Sequence, residues 1–260
     1  TYKLSASNNV LRYVTAYPTR GLIYDRHGNL LVYNQPAYDL MVIPKQVKNI
    51  DTTALCALLS IEKQEFSEKL KEARKYSLLK PTIFLKQLST EIYGGFLERM
   101  YQFPGFFVQV RTMRKYPDPI AAHILGYISE VDEKKILKNP YYKPGDYIGM
   151  SGIEQTYEEA LRGKRGVKIF VVDVHNRIVG NYQNGLYDTL PVPGMNVACT
   201  IDGKLQKYGE ILMRNKIGSI AAIEPSTGEV LALVTSPSYD PNLLVGRVRS
   251  QNYRLLLTDS

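Results

Sequence analysis

A chain of 260 residues, 44% apolar and 22% charged, has the composition of a globular protein with room for one large domain or two ordinary ones. That composition excludes a disordered or low-complexity protein, and there is no internal repeat of solenoid period. Lys and Arg outnumber Asp and Glu by 33 to 25, a net charge of +8. The excess is scattered, as in KLKEARK (Lys69–Lys75), and no Cys/His finger or aromatic-interleaved RNA signature accompanies it. It reads as a solvated basic surface, not a nucleic-acid footprint.

Cys56 and Cys199 lie far apart in apolar settings, as free thiols do, and imply no disulfide framework. No run of 18 apolar residues is present to span a membrane. The chain begins at Thr1 and stops in an uncapped apolar segment, NYRLLLTDS (Asn252–Ser260). Both ends are expected to be cut points of a longer protein, so the missing signal or anchor says nothing of the parent.

Residues 1 to 44 read as extended and hairpin-forming. In YPTRGLIYDRHGNLLVYN (Tyr17–Asn34), the apolar arms GLIY and LLVY flank a turn at Asp25 to Asn29. A surface turn needs Gly28 and one Asp, but this one and its approach also carry Arg20, Arg26 and His27. Asp51 to Lys75 turns helical, with Phe66, Leu70 and Ala73 at i, i+4 and i+7. A second helix is predicted from Ser89 to Tyr101, weakened by about 1 kcal/mol at each of Gly94 and Gly95. FPGFFVQVRTMRKYP (Phe103–Pro117) returns to strand, and short helix and loop follow through SGIEQTYEEALRG (Ser151–Gly163).

Hairpin grammar then repeats. VKIFVVDVHNRIVGNY (Val167–Tyr182) turns at VHNR, and GSIAAIEPSTGEVLALVTS (Gly218–Ser236) turns at EPSTGE, with Pro225 and Gly228 suited to a type I turn. YQNGLYDTLPVPGMN (Tyr182–Asn196) reads as an inter-domain linker. After it, VACTI leads through Asp202, a predicted N-cap, into a helix with Leu205, Tyr208 and Leu212 on one face.

Chemistry finds little purchase. His27, His123 and His175 have no metal-ligand spacing, and no phosphate-cradling loop or nucleophile elbow occurs, so neither metal nor cofactor is expected. Two S-x-x-K strings, Ser60 to Lys63 and Ser77 to Lys80, could set an amine beside a hydroxyl on a helical face. No K-[ST]-G follows them, the only S-x-N (Ser7 to Asn9) precedes both, and Ser60 reads better as the cap of a charged helix. No catalytic residue is assigned.

Three clusters remain, each setting charge beside Gly or Ala in apolar surroundings: RGLIYDRHG (Arg20–Gly28), RKYPDPIAAHILGY (Arg114–Tyr127) and GMSGIEQTYEEALRGKRG (Gly149–Gly166). A buried unpaired charge costs several kcal/mol. The clusters are therefore expected to pair with one another, with Arg20 or Arg26 on an acid of the third, Glu154 first among them.

In this order the clusters resemble the N-terminal module of class B penicillin-binding proteins. Arg20, Gly21, Asp25, Arg26, Gly28 and Leu30 are similar to its first motif. Arg114, Tyr116, Pro117, Ala121, Ala122, His123, Gly126 and Tyr127 are similar to its second. Gly149, Gly152, Glu154, Tyr157, Glu158, Leu161, Gly163 and Gly166 are similar to its third. The resemblance continues through TIDGKLQ (Thr200–Gln206) and AAIEPSTGEVLALVTSPSYDPN (Ala221–Asn242), similar to the opening of the family's transpeptidase domain. The segment between the first two motifs and FPGFFVQV are more similar to the elongation type than to the septal type. One departure stands in the second motif: Asp118-Pro119-Ile120 fills the place of a Gly and one further residue.

The resemblance implies an α+β fold. Residues 1–194 would be an elongated pedestal of β-hairpins, of dimerisation type, with a helical head inserted at about 45–102. Residues 195–260 would be the first strands and helix of a transpeptidase domain. It implies a parent that cross-links peptidoglycan peptides through a serine acyl-enzyme, the nucleophile falling after Ser260 and this fragment being inactive. The parent would be periplasmic, anchored to the inner membrane by an N-terminal helix absent from this chain. Implied partners are a membrane glycosyltransferase, a rod-shape scaffold protein and, through the missing domain, peptidoglycan precursors; no nucleic acid is among them, and a homodimer stays open. The rival readings are a stand-alone periplasmic scaffold module, decided by the coding sequence past Ser260, and a nucleic-acid binder, decided by salt-dependent DNA binding.

Overall fold

A computed structural model describes residues 11–258 other than 49, 173–177 and 247–248, with residue 250 by its backbone alone. The predicted VHNR turn with His175, and Ser7 to Asn9, lie outside the described residues. Two compact units divide the chain, one formed by residues up to 35 and from 113 onward, the other by residues 36–112. Strand β3 (Leu30–Val42), which follows β1 (Leu11–Ala16) and β2 (Ile23–Tyr24), contributes to both. Pro36, the first residue of the second unit, cannot donate to a ladder.

In the unit of residues 36–112, the second half of β3 pairs antiparallel with β4 (Thr82–Leu88), Leu40 opposite Leu85, and β5 (Phe106–Lys115) also pairs with β3. The expected helical head is thus a mixed unit, wider than 45–102. TIFLKQL, which opens on the β-formers Thr82, Ile83 and Phe84, takes a strand beside β3. The predicted helix from Asp51 to Lys75 is two, α1 (Thr52–Leu59) and α2 (Lys63–Tyr76). Asp51 caps α1 by accepting the N–H groups of Thr53 and Ala54, and Ser60, at φ 54°, ends it. Ser60 is therefore the C-cap of α1, not the head of the charged helix. Phe66 and Ala73 are buried with Leu70 packed against them, and Phe66, Phe84 and Phe106 meet with ring centroids 5.1–6.2 Å apart. Helix α3 (Thr90–Arg99) is capped by Ser89 and carries both glycines.

In the other unit, β2 and β3 form the predicted hairpin, Tyr24 opposite Leu30, with Asp25 N–H donating to the Asn29 carbonyl at 2.9 Å. The second motif continues from β5 into α4 (Ala122–Leu125) and β6 (Ile128–Glu130). After α5 (Glu133–Lys138), the third motif runs through β7 (Tyr147–Gly149), paired with β6, into α6 (Gly152–Thr156) and α7 (Glu158–Arg162). Ile23, Val32, Tyr116, Leu125 and Leu161 pack as one core from all three motifs. β8 (Gly166–Val172) lies between β1 and β9 (Ile178–Asn181).

Two readings are corrected here. The segment Tyr182–Asn196 is no free linker: Lys164 and Val192 exchange backbone hydrogen bonds at 2.9 and 2.8 Å, and Gly194 N–H donates to the Thr19 carbonyl at 2.9 Å. Short β10 (Val197–Ala198) follows, parallel to β2, which fixes the segment at both ends. Helix α8 (Gly203–Met213) forms with Asp202 as its N-cap, but Leu205, Tyr208 and Leu212 face outward. It packs on the hairpin of β11 (Gly218–Ile223) and β12 (Val230–Ser236) through Gln206 and Gly209 instead. The Gln206 amide bonds both backbone groups of Leu233, a polar contact invisible to an apolar-face argument. A last helix, α9 (Arg249–Thr258), closes the described chain. No helix among the described residues is long and apolar enough to cross a membrane.

Candidate functional site: a buried arginine–glutamate lock

Glu154 on α6 is fully buried and meets an arginine from each of the other two motifs. Arg20 Nε donates to Glu154 Oε2 at 2.7 Å, and its Nη2 lies 2.6 Å from both Glu154 Oε2 and Glu158 Oε2. Arg114 Nε sits 2.7 Å from Glu154 Oε1, at ion-pair distance but with its N–H unaligned to the oxygen. Asn34 ties the two cations together: its Oδ1 accepts from Arg114 Nη1 at 2.9 Å, and its Nδ2 donates to the Arg20 carbonyl. Two guanidiniums and two carboxylates balance, the condition under which buried charge is tolerated.

The surroundings keep these groups in place. Burial opposes the Arg20 charge, yet Glu154 and Glu158 outweigh it and hold the guanidinium above its ordinary value. Arg114 is shifted the other way, by burial first, with Glu154 offsetting it and Arg20 adding like-charge repulsion. Glu158 accepts Gly149 N–H and Tyr142 O–H, each at 2.9 Å. Burial and the Glu158 charge push the Tyr142 phenol up to about 12, so it remains a donor at neutral pH. Tyr116 is raised for the same reasons, burial and then Glu154, and donates to the Gly126 carbonyl at 2.8 Å. Farther out, Arg162 and Arg165 stack on Tyr141 at 4.0 and 4.2 Å, and Arg165 Nη2 reaches Asp146 at 2.7 Å.

The structure does not bring every predicted residue to this lock. The Asp25 turn docks on residues 201–229 and not on the other two clusters as expected. Arg26 N–H donates to the Ile201 carbonyl at 3.0 Å, and its guanidinium lies 3.3 Å from Glu229 and 3.8 Å from Glu224. His27 Nε2 is 3.2 Å from Asp202 Oδ2. The reason is geometric: Arg20 precedes β2 and Asp25 follows it, so they leave opposite ends of the strand. His123 is exposed, its ring edge-on to Tyr239, and Pro117 is exposed beyond Tyr116. Gly21 N–H donates to the Leu161 carbonyl at 2.8 Å, and Gly163 ends α7. Asn34 and the second carboxylate, Glu158, complete the lock without a motif signal as plain as that of Glu154. The signal for Glu158 was a second acid at i+4 from Glu154, a like-charge spacing that asks for a shared cation.

Asp25 gives a pH test. Burial alone would raise its pKa, but hydrogen bonds from Asn29, first its side chain and then its N–H, and from His27 and Gly203 hold it below the usual carboxylate value. Its stabilisation is then present above about pH 3.9 and lost as pH falls through the folded value. Asp25→Asn should flatten the acid limb of stability between neutral pH and pH 3. Parallel limbs for both proteins, by denaturant unfolding, would count against it.

The serines of the two S-x-x-K strings take local backbone roles. Ser60 ends a helix in the left-handed region, and Ser77 Oγ accepts the N–H groups of Leu79 and Lys80 at 3.3 and 3.0 Å. Among the described residues no group of three or more His, Cys, Asp or Glu side chains is placed to hold a metal.

The described residues thus form a mixed α+β fold in which three glycine–charge motifs meet around Glu154. Residues 15–199 match the family described as Penicillin-binding Protein dimerisation domain, and the chain belongs to that family. Within it, the sequence is 35% identical over 269 residues to the Peptidoglycan D,D-transpeptidase MrdA of Escherichia coli (strain K12), covering 99% of this chain and 42% of that protein. It is 32% identical over 273 residues to the MrdA of Haemophilus influenzae, covering 100% of this chain and 41% of that one. These likenesses place it with the elongation-type class B penicillin-binding proteins. A chain of the complex between Penicillin-Binding Protein (PBP2) and MreC from Helicobacter pylori has the same fold, with a TM-score of 0.74 at 23% identity over 96% of this chain and 47% of that one. The chain thus spans less than half the length of these relatives.

Proposed function

We propose that residues 1–194 are the non-catalytic pedestal of a peptidoglycan D,D-transpeptidase that acts in cell elongation, and that residues 195–260 open its transpeptidase domain. The observation that carries this reading is that 99% of the chain aligns with a D,D-transpeptidase of which it spans 42%. The lock supports it chemically: Glu154 is ion-paired with both Arg20 and Arg114, and the three side chains hold elements together. On this reading the motif residues from Arg20 to Gly163 are structural, and the acyl-enzyme serine lies outside residues 1–260. The parent would be held at the periplasmic face of the inner membrane by an N-terminal helix. It would work beside a membrane glycosyltransferase and bind a rod-shape scaffold protein; the Helicobacter pylori chain of the same fold is itself in complex with MreC.

A fluorescent penicillin tests the reading. Acylation needs an activated serine, a base beside it and donors for the oxyanion. The 260-residue chain should stay unlabelled, and the parent extended to its natural C-terminus should label once per chain. Stoichiometric labelling of Ser60 or Ser77, or an extended parent that does not label, would overturn it.

A further inference from the structure

In the second motif, the residue after Asp118-Pro119-Ile120 is strained. Ala121 is held in the left-handed region (φ 55°, ψ 30°) and is 3% exposed. In that region the Cβ of an L-residue crowds a carbonyl oxygen, and such residues persist only where their surroundings over-determine them. Helix α8 supplies those surroundings. Glu210 Oε1 accepts Ala121 N–H at 2.6 Å, and the same oxygen accepts Gln206 Nε2 at 2.9 Å. Gln206 is 1% exposed and bonds Leu233 of β12 both ways, accepting its N–H at 2.8 Å and donating to its carbonyl at 3.0 Å. A continuous polar relay therefore joins the loop, α8 and β12. A second link, Lys207 Nζ to Asp118 Oδ1 at 2.7 Å, is half-exposed on both sides and adds little.

We propose that Glu210 is a positioning residue whose carboxylate sets the left-handed turn of the second-motif loop and, through Gln206, ties that turn to β12. Loop and helix–strand layer then move as one element. The relay stands on the hydrogen bonds above. Its catalytic consequence, that the state of the loop reaches the acylating domain, rests on reading residues 195–260 as the opening of that domain.

The test uses the 260-residue chain with Glu210→Gln, Ala121→Gly and both together, read by amide exchange at residue 121 and at Leu233. Glu210→Gln keeps the shape and weakens the acceptor. It should speed exchange at the residue 121 amide by about tenfold, the change expected when a charge-assisted hydrogen bond becomes a neutral one, and should speed exchange at Leu233 through the weakened Gln206 link. Ala121→Gly removes the strain, so in that background Glu210→Gln should act less on Leu233, a non-additivity that marks coupling. An unmoved Leu233 amide, or strictly additive effects, overturns the relay. In the extended parent, Glu210→Gln should slow penicillin acylation by a similar factor, and acylation at the wild-type rate overturns the catalytic consequence. A wild-type parent that never labels sinks the proposed function instead and leaves the exchange result standing.

Discussion

Replacing Glu154 with alanine should cost about 3–5 kcal/mol, the loss typical of removing one partner from a buried ion pair. For a chain of this size that corresponds to a drop of about 6–20 °C in melting temperature. The loss falls on the arginines. The Arg114 side chain is 1% exposed and that of Arg20 10%, so little water reaches either; Arg20 would keep Glu158, and Arg114 would lose the carboxylate beside it. Glu154→Gln separates charge from shape: it keeps the volume and one acceptor, and should fall between wild type and alanine. Thermal unfolding followed by circular dichroism is the measurement, and a melting temperature unchanged by Glu154→Ala would sink the lock as a source of stability. A well-packed apolar trio in its place could be as stable. What the charges add is a single arrangement, since two guanidiniums and two carboxylates satisfy one another in few geometries.

The lock was legible in the sequence because its parts carry their own signal. A charge beside glycine in an apolar run demands a partner, and only Glu154 and its neighbours offered acids in the third cluster. Hairpin arms and capped helices were legible for a similar reason, since Asp51 and Asp202 each precede a periodic run that needs a cap. Contacts made through the backbone were not legible. The docking of the Asp25 turn on Ile201 and Gly203 depends on peptide groups that every residue has, and no spacing announces it. The α8 face failed because the helix buries a glutamine and a glycine, the reverse of an apolar stripe. Ser60 misled because a residue between two helical patterns can cap either, and only its positive φ decides.

Gly152→Ala should be nearly as damaging as the loss of Glu154, at about 2–5 kcal/mol, from a left-handed penalty and overpacking together. Gly152 opens α6 at φ 58°, and a Cβ there would stand 2.3 Å from the Ile124 carbonyl oxygen and 2.8 Å from Gly126 N, both backbone atoms that cannot swing aside. Gly28 is the control. Its φ of 81° is also left-handed, but a Cβ there would meet nothing within 4 Å. Gly28→Asn, a residue that tolerates this region, should therefore cost less than about 1 kcal/mol. Urea unfolding of both variants decides between conformation and contact: equal losses would mean that the approach of α4 to α6 carries no weight. Because Gly152 sits two residues before Glu154, its displacement should also loosen the lock. Gly152→Ala with Glu154→Ala should then cost less than their separate losses combined, as residues serving one network do. A fully additive double variant would show that the glycine and the carboxylate stabilise the third motif independently.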